Sequence, residues 1–312
     1  MEPSMTQTSS RPSWPVVVWQ AIRPRTLPLS LSPVLAGSAV GWVETGGVRP
    51  DITLAAALSA AAIQIGTNLQ NDAADTLNQT DSAGRVGPVR VTERGWLSPR
   101  QVLGAAYASF IFALLCGLYL VALGGVPILI LGLLSLAAAY AYSGGPFPIS
   151  RGPLGEVFVI FFFGLVAVGG VAYLYSGGVS PPALIMGTVV GLPAAAVLLV
   201  NNLRDREGDH CAGRRTLAIL LGPGGSMWLF GGLLAGVALG LLGLAALGVP
   251  WSGAAVGLAA LPFGVRIWRT LMTTTDPVAY NVCLARTGVF QLLLVLVAAA
   301  GLIAAAYLHG SV

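Results

Sequence analysis

The sequence predicts an all-α, polytopic membrane protein, and three observations support this fold class. The chain of 312 residues is 55% hydrophobic and only 9% charged, with a mean hydropathy of +0.81. Apolar runs of about 20 residues recur along it, which is the length that crosses the roughly 30 Å hydrocarbon core of a bilayer as a helix. The runs are continuous rather than alternating, so they predict helices and not the strands of a barrel.

The apolar runs divide the chain into nine predicted spans joined by two kinds of connection. Four connections are short, whereas the other four are mostly longer and polar. The spans are predicted at about 27–44, 52–77, 99–123, 124–143, 153–175, 181–203, 225–248, 250–270 and 284–308.

The placement of arginine orients the predicted bundle. All 16 basic residues are arginine, and 15 of them lie in the N-terminal arm or in or beside the polar connections, with Arg49 alone on the opposite side. Loops rich in basic residues stay on the cytoplasmic side of a membrane. We therefore expect the N-terminus and the polar connections in the cytoplasm, the C-terminus outside, and the protein in the plasma (inner) membrane.

Domain organisation follows from the same pattern. Residues 1–13 are polar and are predicted to form a disordered cytoplasmic arm, and residues 14–312 are predicted to form a single transmembrane domain. The net charge of +4 fits the orientation in the membrane. The sequence has no module that combines basic and aromatic residues for nucleic-acid binding, so nucleic acid is not an expected partner.

Two polar segments interrupt the apolar pattern at the cytoplasmic ends of the second and sixth spans. They read NLQNDAADTLNQTDSAGRVGPVR (68–90) and NNLRDREGDHCAGRRT (201–216), and they hold six of the twelve acidic residues. If each helix continues into its segment, spacings of three and four predict one polar face per helix. These faces carry Asn68, Asn71, Asp72 and Asp75 in the first segment, and Asn201, Asp205 and Asp209 in the second.

Carboxylates that share a helix face need a cation, because like charges repel one another. Magnesium takes oxygen ligands and commonly binds through one or two carboxylates together with substrate phosphates. Two facing clusters therefore predict two Mg²⁺ ions with a diphosphate between them. Arginines of the same segments can donate bidentate hydrogen bonds to the remaining phosphate oxygens: Arg85, Arg90, Arg204, Arg206, Arg214 and Arg215.

Two other interpretations of the polar segments stay open at this point. They could be solvated loops whose acids balance the arginines, or the ion sites of a cation-coupled transporter, since acids near membrane depth mark ion pathways. The matched spacing of the two segments favours a binding site over ordinary loops. Spans that are otherwise almost free of charge favour an enzyme over a transporter.

The two motifs resemble those of the UbiA superfamily of intramembrane prenyltransferases. They appear here as Asn71-Asp-Ala-Ala-Asp75 and as Asn201-Asn-Leu-Arg-Asp205 followed by Asp209. The likeness covers nearly the whole chain, because span count, orientation and motif positions all agree. It implies a nine-transmembrane-helix bundle around a central cavity, with both Asp-rich motifs at the cytoplasmic side. It also implies Mg²⁺-dependent transfer of a polyprenyl group from its diphosphate to an aromatic or other acceptor.

One departure from the superfamily pattern indicates a subgroup. Where a third aspartate is usual, four residues after Asp75, this chain has Gln79, and Asp81 and Arg85-Val-Gly-Pro-Val-Arg90 follow. This arrangement is similar to the 1,4-dihydroxy-2-naphthoate polyprenyltransferases of menaquinone synthesis (MenA type). The implied reaction joins 1,4-dihydroxy-2-naphthoate to a polyprenyl diphosphate, releases diphosphate and CO₂, and yields a demethylmenaquinol. Phytyl transfer to the same naphthoate, and acceptors such as 4-hydroxybenzoate or homogentisate, stay open.

The motifs and the resemblance together assign each candidate residue a role. Four aspartates are the expected Mg²⁺ ligands and catalytic residues: Asp72, Asp75, Asp205 and Asp209. The expected substrate contacts are Asn68, Asn71, Asn201, Asn202 and Tyr142, with the charged residues Arg23, Asp81, Arg85, Arg90, Arg151 and Arg214. An arginine is expected to hold the naphthoate carboxylate, and Arg23 and Arg151 are the two candidates.

Overall fold

All regular structure in the described residues is helical. The computed structural model describes residues 12–77, 87, 89–146 and 148–310. Short 3₁₀ helices occur at Pro24–Thr26, Ile149–Arg151 and Trp251–Ala260, and a π-helical segment occurs at Ile160–Val166. The α-helices are α1 (Trp14–Ile22), α2 (Leu27–Thr45), α3 (Pro50–Leu77), α4 (Pro99–Ser143), α5 (Gly155–Val159), α6 (Ala167–Ser176), α7 (Pro181–Arg204), α8 (Arg206–Cys211), α9 (Leu217–Ala245), α10 (Leu261–Thr273) and α11 (Pro277–Leu308).

The helices fit a polytopic membrane protein. Within the described part of the chain, seven helical segments are long and apolar enough to cross a membrane: Trp14–Thr45, Pro50–Leu77, Pro99–Ser143, Gly155–Ser176, Pro181–Arg204, Leu217–Ala245 and Pro277–Leu308. The predicted all-α membrane fold is therefore confirmed, whereas the count of nine spans stays a prediction.

The longest helix, α4, covers two of the predicted spans. Its 45 residues would extend about 68 Å if straight, more than twice the roughly 30 Å hydrocarbon core. The helical dihedral angles are interrupted at Gly125, where φ is 67° and ψ is −153°. Glycine tolerates this positive φ because it has no Cβ. The interruption lies next to the predicted boundary between residues 123 and 124.

Three of the long helices begin at a side-chain cap. Ser98, Ser180 and Asp276 each accept a hydrogen bond from a backbone N–H in the first turn of α4, α7 and α11, respectively. A proline follows each cap, and its fixed φ suits the first helical position, where a backbone N–H has no partner within the helix. Local sequence therefore sets where these spans begin.

Helix α7 lies at the centre of the largest core cluster and packs against α9, α11, α2 and the π-helical segment. Its closest approach is to Gly164 in that segment, where an added Cβ would lie 2.4 Å from the carbonyl oxygen of Gly187. Small residues allow such close contact between helices in a membrane. This packing fixes the direction of α7 and thereby positions the second polar motif at its C-terminal end.

Helix α1 precedes the first predicted span, which begins at about residue 27, and was not predicted. Val17 and Ala21 are buried beside α3, whereas Trp14 and Trp19 are 60% and 62% exposed. Tryptophan is enriched where membrane proteins meet the membrane–water interface. The chain turns after α1 at Arg23, whose φ of 52° is in the left-handed region. The turn brings Arg23 close to α3.

Candidate functional site

A cavity of about 790 Å³ extends through the bundle from the C-terminal ends of α3 and α7. Apolar side chains of α2, α3, α4 and the π-helical segment form most of its wall, and the polar motifs lie at one end. Eleven of the fifteen predicted site residues line it: Arg23, Asn68, Asn71, Asp75, Arg90, Tyr142, Asn201, Asn202, Asp205, Asp209 and Arg214.

Arg214 brings the two motifs together. One guanidinium nitrogen lies 2.8 Å from Oδ1 of Asp75, and another lies 3.1 Å from Oδ1 of Asp209. All three side chains are mostly buried, with 18%, 12% and 12% exposed. Asp75 belongs to the first motif and Asp209 to the second, so a single cation spans both. The predicted juxtaposition of the motifs is thus present in the structure.

A second arginine contacts the first motif from the segment before α4. The guanidinium of Arg90 forms a short ion pair with Oδ2 of Asp75. Burial lowers the pKa of Arg90 from its ordinary value, although the carboxylates of Asp75 and Asp72 oppose this shift. An arginine remains charged at neutral pH despite such a shift. Asp75 therefore has a cation on each of its two oxygens.

The second motif is held by Arg204 at the end of α7. Its guanidinium donates to Oδ1 of Asp205 at 2.8 Å and to Oδ1 of Asn201 at 2.8 Å. A third bond, 2.7 Å long, reaches Oδ1 of Asn281 on α11. Arg204 is only 7% exposed, so these bonds are made away from bulk water. They fix the rotamers of the motif residues and link α7 to α11.

The asparagines of the two motifs have different surroundings. Asn68 donates through Nδ2 to the carbonyl of Ile22 at 3.2 Å and to the Thr26 hydroxyl at 2.9 Å, which ties α3 to the turn after α1. Asn202 donates to Oε1 of Glu156 at 2.9 Å. Asn71 makes no hydrogen bond to another residue in the described ranges. Its amide is therefore available to a ligand in the cavity.

Four predicted site residues do not line this cavity. Asp72 is beside it, and its carboxylate accepts from the backbone N–H groups of Val91 and Thr92. The expectation that Asp72 binds Mg²⁺ together with Asp75 stays a prediction. Arg151 lines a separate pocket of about 340 Å³. Asp81 and Arg85 lie outside the described residues.

The chemistry of the donors fits magnesium. No group of three or more His, Cys, Asp or Glu side chains in residues 12–77, 87, 89–146 and 148–310 has the arrangement of a metal cage. Magnesium does not require one, because it keeps waters and commonly binds through one or two carboxylates plus substrate phosphates. The cavity end offers such oxygen donors: the carboxylates of Asp75, Asp205 and Asp209, and the side-chain amides of Asn71, Asn201 and Asn202.

Three supporting residues were not predicted as site residues. Glu156 is 4% exposed and accepts from Asn202, Asn281 accepts from Arg204, and Thr92 donates to Asp72. The only sequence signal for Glu156 is its isolation as an acid inside an apolar span. Asn281 precedes the predicted start of the last span at 284, and thus looked like a loop residue.

The rest of the cavity wall is apolar. Phe158 and Phe162 line it with their ring centroids 6.0 Å apart. Leu118 and Leu133, from the two halves of α4, also line it. This wall provides an apolar surface for a long apolar ligand.

Comparison with known proteins agrees with this architecture. Residues 30–282 match the UbiA prenyltransferase family. The chain is 35% identical over 276 residues to the 1,4-dihydroxy-2-naphthoate octaprenyltransferase of Escherichia coli (strain K12), covering 86% of this chain and 89% of that protein. It is 39% identical over 245 residues to the enzyme of the same name from Mycobacterium tuberculosis, covering 78% and 82%.

A solved structure with the same fold is a UbiA homolog from Archaeoglobus fulgidus bound to GPP and Mg²⁺. It superposes with a TM-score of 0.69 over 92% of this chain and 99% of that one, at 16% sequence identity. This likeness supports the fold, and the match over residues 30–282 supports the family. The chain belongs to the UbiA prenyltransferase family.

Proposed function

We propose that the protein transfers a polyprenyl group from polyprenyl diphosphate to 1,4-dihydroxy-2-naphthoate, with loss of diphosphate and CO₂. The product is a demethylmenaquinol, as in menaquinone biosynthesis. The observation that carries the proposal is the bridge from Asp75 through Arg214 to Asp209, which joins both motifs at the polar end of an apolar cavity. The identity of the acceptor is inferred from the two bacterial relatives, which are both named 1,4-dihydroxy-2-naphthoate octaprenyltransferase.

The polar end is suited to hold the diphosphate with Mg²⁺. Asp75 with Asn71 would hold one ion, and Asp205 and Asp209 with Asn201 or Asn202 would hold the other. When bound, the metal supplies Lewis-acid stabilisation of the charge that develops on the departing diphosphate. The guanidinium groups of Arg90 and Arg214 lie among the carboxylates, where they would donate to the remaining oxygens of a bound diphosphate.

The apolar wall protects the reacting carbon. The C–O bond to diphosphate breaks with its electrons on the oxygen, and an allylic cation remains. Water is excluded by the apolar wall, and the faces of Phe158, Phe162 and Tyr142 can stabilise positive charge. The ring carbon that bears the carboxylate then forms the new C–C bond. The electrons of the C–CO₂ bond return to the ring as CO₂ leaves, so no base is required for this step.

The acceptor carboxylate is assigned to Arg23 rather than Arg151. Both were candidates from the sequence, but Arg23 lines the main cavity and Arg151 lines the smaller pocket. Arg23 has a left-handed backbone, and its guanidinium lies 4.0 Å from the carboxylate of Asp72 on α3. A non-glycine residue in the left-handed region is strained, and the surrounding contacts must offset that strain. Such residues cluster at binding and active sites.

The placement in the membrane follows from the arginines. We propose that residues 14–312 form one transmembrane domain in the plasma (inner) membrane. The N-terminus and the polar ends of α3 and α7 face the cytoplasm, and the C-terminus faces outward. A water-soluble naphthoate then reaches the site from the cytoplasm, while the prenyl chain enters from the bilayer.

The test is product formation by the purified protein in detergent with Mg²⁺ and a long-chain polyprenyl diphosphate. The acceptor is 1,4-dihydroxy-2-naphthoate or, in parallel, 4-hydroxybenzoate. We expect prenylated naphthoquinol, diphosphate and CO₂ from the first acceptor, with loss of activity in Asp75→Asn and Asp209→Asn. The matched control is Asp51→Asn, since Asp51 pairs with Arg49 at the opposite end of α3.

The outcomes separate the alternatives. Turnover with 4-hydroxybenzoate alone would keep the site and overturn the acceptor. Detergent abolishes any transmembrane gradient, so diphosphate release in detergent contradicts a transporter. Absence of turnover together with cation flux across sealed vesicles would overturn the enzymatic proposal.

A further inference from the structure

The two aspartates of the first motif have separate surroundings although they are only three positions apart on α3. Asp75 lines the cavity and contacts two arginines that also line it. Asp72 is 1% exposed and is not among the residues that line the cavity. A single helix thus directs one carboxylate to the ligand space and the other to the protein interior.

The carboxylate oxygens of Asp72 are both engaged by the segment that precedes α4. Oδ2 accepts from the backbone N–H of Val91 at 3.0 Å, and Oδ1 accepts from the backbone N–H of Thr92 at 3.2 Å. The Thr92 hydroxyl makes a further short bond to Oδ1, and it lies 2.6 Å from the hydroxyl of Thr76. All three bonds come from residues 91 and 92, so they hold the Asp72 carboxylate against this segment and away from the cavity that Asp75 lines.

These bonds fix the position of Arg90. Arg90 immediately precedes Val91, and consecutive Cα atoms are about 3.8 Å apart, so fixing residues 91 and 92 leaves Arg90 little freedom. Val91 is fully buried against α3 and α1, and a turn from Arg90 to Leu97 closes with backbone hydrogen bonds of 3.0–3.2 Å. The Arg90 side chain extends from this anchored turn to Asp75 and the cavity.

Asp72 is also close to the second arginine at this wall of the cavity. A guanidinium nitrogen of Arg23 lies 4.0 Å from Oδ2 of Asp72, and Arg23 lines the cavity as well. Asp72 therefore lies behind two cationic side chains that face the ligand space. Asp72 thus lies close to Arg23 and is bonded to the two residues that follow Arg90.

We propose that Asp72 is a positioning residue that anchors the turn bearing Arg90, and that it is not a metal ligand. This inference rests on the proposed function to the extent that Arg90 binds the diphosphate of the donor. It replaces the expectation from the sequence that Asp72 and Asp75 share one Mg²⁺. In the revised assignment, the first motif contributes Asp75 and Asn71 to the metal.

The test compares Asp72→Asn with Asp75→Asn in the full chain purified in detergent. Mn²⁺ binding is measured by electron paramagnetic resonance, and binding of inorganic diphosphate is measured by calorimetry in the presence of Mg²⁺. The amide of Asp72→Asn places an NH₂ group against N–H donors and so releases the turn. We expect the Asp72→Asn variant to bind Mn²⁺ with an affinity within about twofold of wild type. We expect its diphosphate binding to be about tenfold weaker or more, as for loss of the charge-assisted contact made by Arg90. Asp75→Asn is expected to weaken Mn²⁺ binding itself.

If Asp72→Asn does not fold, a second variant, Thr92→Val, tests whether Asp72 positions Arg90. It removes the hydroxyl donor to Asp72, keeps the shape of the side chain, and leaves the carboxylate in place. We expect weaker diphosphate binding and unchanged Mn²⁺ binding. Unchanged diphosphate binding in this variant, or a loss of Mn²⁺ binding in Asp72→Asn equal to that in Asp75→Asn, would overturn the proposal.

Both probes are used without an acceptor, so this result is independent of acceptor identity. A wild-type protein that binds Mn²⁺ and diphosphate but does not prenylate the naphthoate would contradict the proposed function alone. The positioning role of Asp72 would still be decided by the two variants.

Discussion

Replacing Arg214 with glutamine removes the guanidinium that joins Asp75 to Asp209. The two contacts are 2.8 and 3.1 Å long, and none of the three side chains is more than 18% exposed. Removing one partner of a buried ion pair costs about 3–5 kcal/mol, because the remaining charges are left uncompensated. Because the three side chains are partly exposed, we expect a loss near the lower end of this range. Without Mg²⁺ the free energy of unfolding should fall by about 3 kcal/mol.

Mg²⁺ should reduce this loss, because a divalent cation neutralises the same two carboxylates. With saturating Mg²⁺ and inorganic diphosphate we expect the difference from wild type to fall to about 1 kcal/mol or less. Denaturant unfolding in detergent, with and without Mg²⁺, measures both values. The matched control is Arg215→Gln, since Arg215 is the next residue and has an exposed side chain.

The reasoning would be refuted if Arg214→Gln and Arg215→Gln destabilised the protein equally. It would also be refuted if Mg²⁺ left the deficit of Arg214→Gln unchanged, since the carboxylates would then not be a metal site. In activity assays the same change should lower kcat/KM by about a hundredfold, the equivalent of about 3 kcal/mol.

Three further predictions concern the metal, an amide and helix packing. Chelation with EDTA should abolish product formation, and added Mg²⁺ should restore it, as followed by diphosphate release. Glu156→Gln should raise the Mg²⁺ concentration for half-maximal activity several-fold, because Oε1 of Glu156 accepts from the Asn202 amide and so orients it, whereas a glutamine can also turn its NH₂ group toward Asn202; an unchanged Mg²⁺ titration would contradict this role. Gly164→Val should cost about 3 kcal/mol by overpacking against Gly187, whereas Gly232→Val, which has open space, should be nearly neutral by the same unfolding assay.

The apolar pattern predicted most of the membrane-spanning helices closely. The span predicted at 181–203 is α7, Pro181–Arg204, and the span at 52–77 is α3, Pro50–Leu77. Such agreement is expected where long apolar runs end at caps and polar residues, since burial in lipid and capping both act locally. Helix α1 was missed because a helix of nine residues produces no apolar run of spanning length.

The candidate site was predicted in composition but not in arrangement. The sequence identified the two motifs and eleven of the residues that line the cavity, because clustered carboxylates and amides in an apolar chain are conspicuous. It could not identify Glu156 or Asn281 as supporting residues. Their roles depend on which helices are neighbours, and each supports a residue more than 40 positions away in the chain.

By itself, the sequence determined the all-α membrane class, the charge asymmetry and the two aspartate motifs, since each is set by local composition and spacing. Only the tertiary structure decided which carboxylates meet. Arg214 contacts Asp75 across 139 residues of chain, and Asp72 turns away from the cavity toward Val91 and Thr92. The physical reason is that helix periodicity constrains how side chains are spaced around one helix. The packing of α3 and α7 with their neighbours determines what each side chain then faces.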